Sequence, residues 1–239
     1  MSRCLRLGMP NVLIVVEAEV ATASAMTGRV EALQRAIAET SPGTQVDVCL
    51  VSELDEEAIA HSEVMVCPLT LNVPARLWFP AQKVYQACRD VVRLRDWVQQ
   101  EFGISAGEGC FWLPVVWTGK GPLYGEAIGV QGWEAGLPET RVYSQPVHLS
   151  DAERQRLYEL AYHLLEWVGA EPATYLMQFG WNEQEICFDR LWPFPAAPAI
   201  ASVGVQVPDL FACHWYCLTN LPIYDINIAS PVAIAERDR

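Results

Sequence analysis

A lysine flanked by glycines is one place in the sequence where chemistry could occur. Lys120 lies in the run Gly119-Lys120-Gly121-Pro122, and Glu126 follows shortly after it. Lysine is a compact positive charge on a flexible stem, so Lys120 on such a loop suits a phosphate or a carboxylate, with Glu126 as an acid partner. Glycine and proline are also ordinary turn residues, and a turn between two strands is the interpretation that we favour.

A second set of candidate ligands is the segment Cys213-His214-Trp215-Tyr216-Cys217. On a helix, Cys213 and Cys217 share one face, whereas His214 lies beside Cys217 rather than opposite it. A tetrahedral zinc site needs four ligands, normally including a second closely spaced pair. The other cysteines are isolated, so a fourth ligand would have to come from Cys187 or Cys110. Buried free thiols are the default interpretation, and a thiol or zinc protein is kept as an alternative.

Strand and helix signals alternate in the first part of the chain. Strands are predicted at Asn11–Val16, Gln45–Val51 and Glu63–Pro68, separated by a helix from about Thr27 and a short acidic helix at Asp55–His61. This order predicts a small Rossmann-like parallel sheet, hence the α/β fold class. The glycine fingerprint of a dinucleotide site is missing. In its place Glu17-Ala18-Glu19 would repel a phosphate, so no such site is predicted.

A change in residue composition predicts a domain boundary near the middle of the chain. One long helix is predicted over Ala81–Phe102, ended by Gly103, and the small residues of Ser105–Gly109 then indicate a flexible linker. We therefore predict a Rossmann-like α/β domain at residues 9–104 and an α+β domain at residues 110–239.

The second half combines strand signals with one well-marked helix. Ser150 and Glu153 have the spacing of a capping box, which predicts a long helix that Gly169 closes. Antiparallel strands are predicted after it at Ala173–Phe179 and Glu185–Leu191. Further strands and a short helix are expected at Cys110–Trp117, Tyr124–Val130, Arg141–Val147 and Pro208–Cys217.

The order strand, capped helix, strand, turn, strand and proline-bearing loop over Gln145–Pro195 resembles the C-terminal lobe of the ATP-grasp superfamily. In that family a helix precedes an antiparallel strand pair that places acidic metal ligands beneath the nucleotide phosphates. The resemblance implies an ATP-grasp-like antiparallel sheet with one long packed helix, and ATP and Mg²⁺ as cofactors. Within the matching run Phe188–Pro193, Asp189 is the residue most like a metal ligand, because magnesium takes hard oxygen ligands.

Departures from the family pattern lead to two hypotheses. Gln178 replaces the acid expected on the partner strand, and no asparagine follows Asp189 at the matching place. The first hypothesis is a binding, assembly or regulatory protein on a catalytically reduced ATP-grasp-like scaffold. The alternative is an active ATP- and Mg²⁺-dependent carboxylate–amine ligase, in which Lys120 contacts phosphate and Asp189, with Glu185, holds the metal.

Large aromatic side chains beside prolines are a further feature of the chain. The run Leu191-Trp192-Pro193-Phe194-Pro195 makes a rigid apolar ridge, so Trp192 and Phe194 are candidate anchors for a protein partner, although internal burial is the commoner outcome. Together with Gly204–Phe211, this run is similar to an uncharacterised family from photosynthetic bacteria. That similarity implies a cytoplasmic setting and no particular activity.

Charge and composition exclude several classes of partner. The formal net charge of −13 argues against nucleic acid and against an anionic membrane surface. No apolar run is long enough to span a bilayer, and no secretory signal is recognised. The eight cysteines lack a spaced disulfide framework, which is typical of free thiols in a reducing compartment, so we expect a cytoplasmic protein.

Overall fold

The computed structural model describes residues 11–17, 23–131, 142–183 and 185–229. Its first sheet has three parallel strands in the order β2-β1-β3: β1 (Asn11–Val16), β2 (Gln45–Leu50) and β3 (Val64–Pro68). The central strand β1 is a continuous apolar run, and Val12 to Val16 are all buried, as expected of a strand covered on both faces. The predicted Rossmann-like parallel sheet is confirmed.

Two helices connect these strands. They are α1 (Ala23–Thr40), which presents Ala32, Leu33, Ala36 and Ile37 to the core, and α2 (Glu56–Ala60). Asp55 caps α2, because its carboxylate accepts from the backbone N–H of Ala58 at 3.0 Å.

The single long helix predicted over Ala81–Phe102 is wrong, since the structure has two helices there, α3 (Gln82–Arg89) and α4 (Val91–Phe102). The break is at Asp90, whose backbone leaves the helical region (φ −85°, ψ 72°). Its side chain accepts from the backbone N–H of Arg93 at 3.1 Å. Asp90 therefore starts α4 as an N-cap, a role for which aspartate competes well against helix continuation.

The second sheet is antiparallel and has the strand order β7-β6-β4-β8-β9, with β5 paired to β4. Where one strand was predicted at Tyr124–Val130, the structure has two, because Gly125 packs against Pro114 and donates to its carbonyl. The strands are β4 (Phe111–Thr118), β5 (Gly121–Tyr124), β6 (Ala127–Gln131), β7 (Val142–Val147), β8 (Ala173–Asn182) and β9 (Glu185–Trp192).

The predicted capped helix is α5 (Asp151–Trp167), and both hydrogen bonds of its capping box with Ser150 and Glu153 are present. After β9 the chain forms a short 3₁₀ helix (Ala197–Ser202), then α6 (Leu210–Leu218), with a two-residue ribbon of β10 (Gln206–Val207) and β11 (Asn227–Ile228). Among the described residues, no helix is both long and apolar enough to cross a membrane.

Two hydrophobic clusters hold these elements together. One lies between the antiparallel sheet and helices α3 to α5. The other cluster packs the parallel sheet and α1 against α6 and against one face of β4 and β8. It therefore contains residues from both sides of the predicted boundary. The division at residues 105–109 stays a prediction, and residues 1–10 and 230–239 at the two ends of the predicted domains lie outside the described residues.

Candidate functional site at the β8–β9 strand pair

Asp189 is an extra residue in β9. Gln178 faces Arg190 across the strand pair and Phe179 faces Phe188, which leaves Asp189 without a partner in β8. Such a β-bulge bends the strand and re-aims the side chain that it carries. The bulge therefore decides where the one acid of this strand segment points.

The carboxylate of Asp189 is fully engaged by groups of the chain itself. Oδ1 accepts from Arg95 Nη2 at 2.6 Å and from Arg190 Nε at 3.2 Å, and Oδ2 accepts from the backbone N–H of Gly109 at 3.0 Å. Arg95 Nε also donates to the Asp189 carbonyl at 2.9 Å. Only 4% of the Asp189 side chain is exposed, so this is a largely buried, charge-assisted network.

Gln178, on the facing strand, extends the same network. Its Nε2 donates to the Gly109 carbonyl at 2.6 Å, and its Oε1 accepts from Trp192 Nε1 at 3.1 Å. The guanidinium of Arg190 lies over the Trp192 ring, 5.6 Å from its centroid. Both ends of the amide are thus used internally, as buried polar groups require.

Gly109 is required where these contacts meet. A Cβ at this position would overlap the carbonyl group of Phe179, so a side chain cannot be added without moving backbone. The preceding residues pair with β9, because Gly107 donates to the Phe188 carbonyl and Phe188 donates to the Ser105 carbonyl, each at 3.0 Å. In place of a flexible linker, residues 105–109 form an extra strand-like edge along β9.

Lys120 lies at the far end of the sheet from this network. It is exposed in the tight β4–β5 turn, where the Thr118 hydroxyl accepts from the Lys120 backbone N–H and donates to the Gly121 carbonyl. Trp112 pairs with Gln178 and Trp117 with Ala173, so at ~3.3 Å per residue the turn is roughly 17 Å or more from Gln178. Glu126 pairs with Arg154 at 3.0 Å instead of with the lysine.

Glu185 is exposed at the other extreme of β9, opposite Asn182 at the hairpin. Four residues of strand separate it from Asp189, roughly 13 Å at ~3.3 Å per residue. The structure therefore does not bring Lys120, Glu185 and Asp189 together. Their roles as phosphate and metal ligands stay predictions.

The two predicted interface anchors occupy different environments. Trp192 is half-buried within the Gln178 network. Phe194 is only 1% exposed and stacks on Tyr85 with ring centroids 5.7 Å apart. In place of an interface, Phe194 packs in the core cluster beside Tyr85 of α3.

The cysteines and histidine of α6 are core residues. His214 Nδ1 accepts from the backbone N–H of Thr174 at 3.2 Å, and burial lowers the pKa of His214 to about 3. Burial also raises the pKa of Cys217 to about 12 and that of Cys213 further, as is typical of buried structural cysteines. Within the described ranges, no three acidic, cysteine or histidine side chains are grouped as metal ligands.

Sequence reasoning missed Arg95, the strongest partner of Asp189. It lies between Leu94 and Val98, both buried, in the run predicted as one long helix. A cation on a core-facing helical position needs a buried acid, and that was the available signal, but the acid is 94 residues further along the chain.

Solved structures of similar architecture place this geometry in context. Glycinamide-RNase-transformylase T from Mycobacterium tuberculosis has a TM-score of 0.65 at 16% identity, covering 89% of this chain and 80% of that one. Carboxyaminoimidazole ribonucleotide synthase from Aspergillus clavatus, complexed with ATP, has a TM-score of 0.68 at 11% identity over 90% and 78%. L-amino acid ligase from Bacillus licheniformis has a TM-score of 0.61 at 11% identity over 87% and 74%.

These proteins are ATP-grasp enzymes. The chain has an ATP-grasp-like fold. No family model matches it, and no curated protein matches its sequence. The predicted fold class, a parallel sheet followed by an ATP-grasp-like antiparallel sheet, is confirmed.

Proposed function

We propose that this chain is a binding or assembly protein, of a regulatory kind, on an ATP-grasp-like scaffold with reduced catalytic machinery. The observation that carries the proposal is the state of Asp189. Arg95, Arg190 and the Gly109 N–H together engage both of its carboxylate oxygens. An acid held in this way acts as a structural ion pair and not as an open metal ligand.

The energetics of a metal site support the same conclusion. Mg²⁺ takes hard oxygen ligands in a near-octahedral array, so Asp189 would first have to release Arg95, and breaking a buried ion pair costs about 3–5 kcal/mol. The neighbouring strand offers only the neutral amide of Gln178, whose oxygen is already bonded to Trp192. No second acid stands close enough on β9 to share the ion.

The alternative function is an ATP- and Mg²⁺-dependent carboxylate–amine ligase. The similarity to solved ATP-grasp structures, one complexed with ATP and one an L-amino acid ligase, favours it. In this alternative, Lys120 contacts phosphate, and Asp189 with Glu185 holds Mg²⁺, which would stabilise negative charge on the transferring phosphoryl group. The separation of these three residues makes it the weaker candidate.

Thermal unfolding with nucleotide separates the two functions. A ligand that binds only the native state stabilises it by mass action, about 2.7 kcal/mol at a hundred times its Kd. We expect millimolar ATP with MgCl₂ to leave the Tm unchanged. A Mg²⁺-dependent rise in Tm that Lys120→Ala abolishes would establish the ligase arrangement instead, with Lys83→Ala, which removes a lysine elsewhere on the surface, as the matched control.

The setting of the protein also stays a prediction. The proposal includes a cytoplasmic location and a protein partner. The similarity of Leu191–Pro195 and Gly204–Phe211 to a family from photosynthetic bacteria supports the cytoplasmic location. Fractionation of cells that express the tagged chain tests them. Recovery with membranes or with nucleic acid would contradict the proposal.

A further inference from the structure

The outer face of α4 and α5 carries a continuous run of aromatic rings, of which three are exposed and three are half-buried against the core. We call it the aromatic belt, and it consists of Trp97 and Phe102 on α4, Trp117 on β4, and Tyr162, His163 and Trp167 on α5. Tyr162 is 37% exposed and Trp167 36%, and half of the His163 side chain is exposed. The solvent-accessible rings are candidate contacts for a partner, because aromatic side chains dominate interface energetics.

Adjacent rings of the belt touch one another in sequence. Centroids are 5.7 Å apart for Trp117 and Tyr162, 5.3 Å for Tyr162 and His163, and 5.8 Å for His163 and Phe102. The series continues at 5.7 Å from Phe102 to Trp97 and 4.8 Å from Trp97 to Trp167. The rings support each other, so the surface is rigid before any partner arrives, which lowers the entropy cost of binding.

An open groove of about 590 Å³ adjoins the belt. Tyr162 and His163 line both features, and the stacked pair Tyr124–Tyr158, with centroids 4.1 Å apart, forms another part of the groove lining. Glu159 and Arg156 also line the groove. The belt therefore continues into a concave site whose lining contains one carboxylate and one guanidinium.

Charge around the belt indicates the chemistry of its partner. The two helices expose four acids, Asp96, Glu101, Glu159 and Glu166. Glu166 accepts from the Tyr162 hydroxyl at 2.9 Å and lies 3.7 Å from His163 Nδ1, so it is in contact with the belt. Against these acids stand Arg93 and Arg156 among the exposed cations of the same helices. Arg93 already lies over the Trp167 ring, 5.3 Å from its centroid. The chain itself thus provides one guanidinium stacked on a belt ring, the arrangement of a cation–π contact.

We propose that the aromatic belt and its groove form a docking surface for a basic segment of a partner protein. Arginine or lysine side chains of that segment stack on the rings and pair with Glu159 and Glu166. The inference rests on the proposed binding function and names its surface and partner chemistry. A second copy of this chain is a poorer occupant, because each copy carries a formal charge of −13.

A peptide titration tests the proposal. The probe is a fluorescent dodecapeptide of alternating arginine and alanine, measured by anisotropy at physiological salt, with a glutamate–alanine peptide as negative control. Charge reversal by Glu159→Arg with Glu166→Arg should raise the Kd at least tenfold. The matched variant, Glu53→Arg with Glu57→Arg, makes the same change in net charge on exposed residues of the other half of the chain and should change the Kd less than twofold.

Equal weakening by the two charge-reversal variants would overturn the proposal, since net charge alone would then explain binding. A second pair of variants leaves the net charge unchanged. The double variant Tyr162→Ala with Trp167→Ala should also raise the Kd about tenfold. Its control is Trp78→Ala, which removes a 73% exposed tryptophan outside the belt and should leave the Kd unchanged. Circular dichroism checks that each variant is folded.

Self-association is the remaining outcome that matters. Analytical sedimentation measures it. If the native chain is a dimer and the Tyr162→Ala, Trp167→Ala variant is a monomer, the belt binds a second copy of the chain, and the proposal of a basic partner is overturned. The titration contains no nucleotide. A Mg²⁺–ATP shift in Tm would therefore refute the reduced-scaffold function without affecting this result, and a failed titration leaves the thermal test intact.

Discussion

The β8–β9 strand pair and the aromatic belt use polar and aromatic groups in opposite ways. At the strand pair, Asp189 accepts from the Gly109 N–H and Gln178 donates to the Gly109 carbonyl, while Gln178 also accepts from Trp192. At the belt, Tyr162, His163 and Trp167 are exposed to solvent. The first region therefore contributes mainly to stability, and the second has groups available for a partner.

Truncation of Asp189 should have the largest effect on stability. Asp189→Ala leaves Arg95 Nη2 and the Gly109 N–H without their acceptor, while Arg95 Nε keeps the backbone carbonyl. We expect a loss of about 3 kcal/mol, at the lower end for broken buried pairs because both arginines retain access to solvent. Urea unfolding measures it. Glu185→Ala, at the exposed end of the same strand, should change stability by less than ~0.5 kcal/mol. Equal losses of stability for the two variants would mean that Asp189 is no more structural than the exposed Glu185.

The buried His214 at the opposite end of β8 should make stability pH-dependent. Its native pKa of about 3 lies below the ordinary 6.5, so below pH 6.5 the unfolded chain binds a proton that the folded chain does not, and stability falls as pH falls. The slope approaches about 1.4 kcal/mol per pH unit well below pH 6.5, and the loss between pH 6.5 and 4.5 is about 2.3 kcal/mol.

His214→Gln removes this slope while keeping an acceptor for the Thr174 N–H. The measurement is the difference between native and variant unfolding free energies at several pH values, with the exposed His61→Gln as control. Parallel stability curves for the native chain and His214→Gln would show that His214 is accessible to protons. The hypothesis that the cysteines and histidine of α6 bind zinc would then gain support.

Backbone packing at the strand pair gives a third, smaller effect. Gly109→Ala forces a methyl group into the Phe179 carbonyl, and we expect a loss of about 2 kcal/mol, within the usual range for overpacking. Gly119→Ala is the matched control, because the nearest atom to a Cβ there is 4.0 Å away. Equal costs in chemical denaturation would contradict a tight approach of Gly109 to the Phe179 carbonyl.

The aromatic belt should be the least sensitive to truncation. Trp167→Ala removes one stacking and one cation–π contact on the surface, so about 1 kcal/mol or less is expected. Trp112→Ala, in the core at 3% exposure, should cost about 3–5 kcal/mol in the same thermal assay. A belt truncation as costly as the core one would mean that the rings serve stability more than binding.

Most of the fold was predictable from local sequence signals. The β-branched run at Asn11–Val16 and the Ser150–Glu153 capping box each describe a complete element within a few residues, and both appear with the predicted geometry. The helix break failed because a local competitor was overlooked: Asp90 caps as readily as it continues a helix. The single strand predicted at Tyr124–Val130 failed at Gly125 for a non-local reason, its packing on Pro114.

The site divides in the same way. The sequence alone identified Asp189 as the residue most like a metal ligand and Gln178 as a neutral replacement, since both follow from residue type and position in a strand pair. Only the tertiary structure decided that Arg95 and Gly109 engage the acid, that Lys120 lies at the far end of the sheet, and that aromatic rings from α4, α5 and β4 form one surface. Those facts join residues far apart in the chain, and no local pattern encodes which distant groups a sheet and its helices bring into contact.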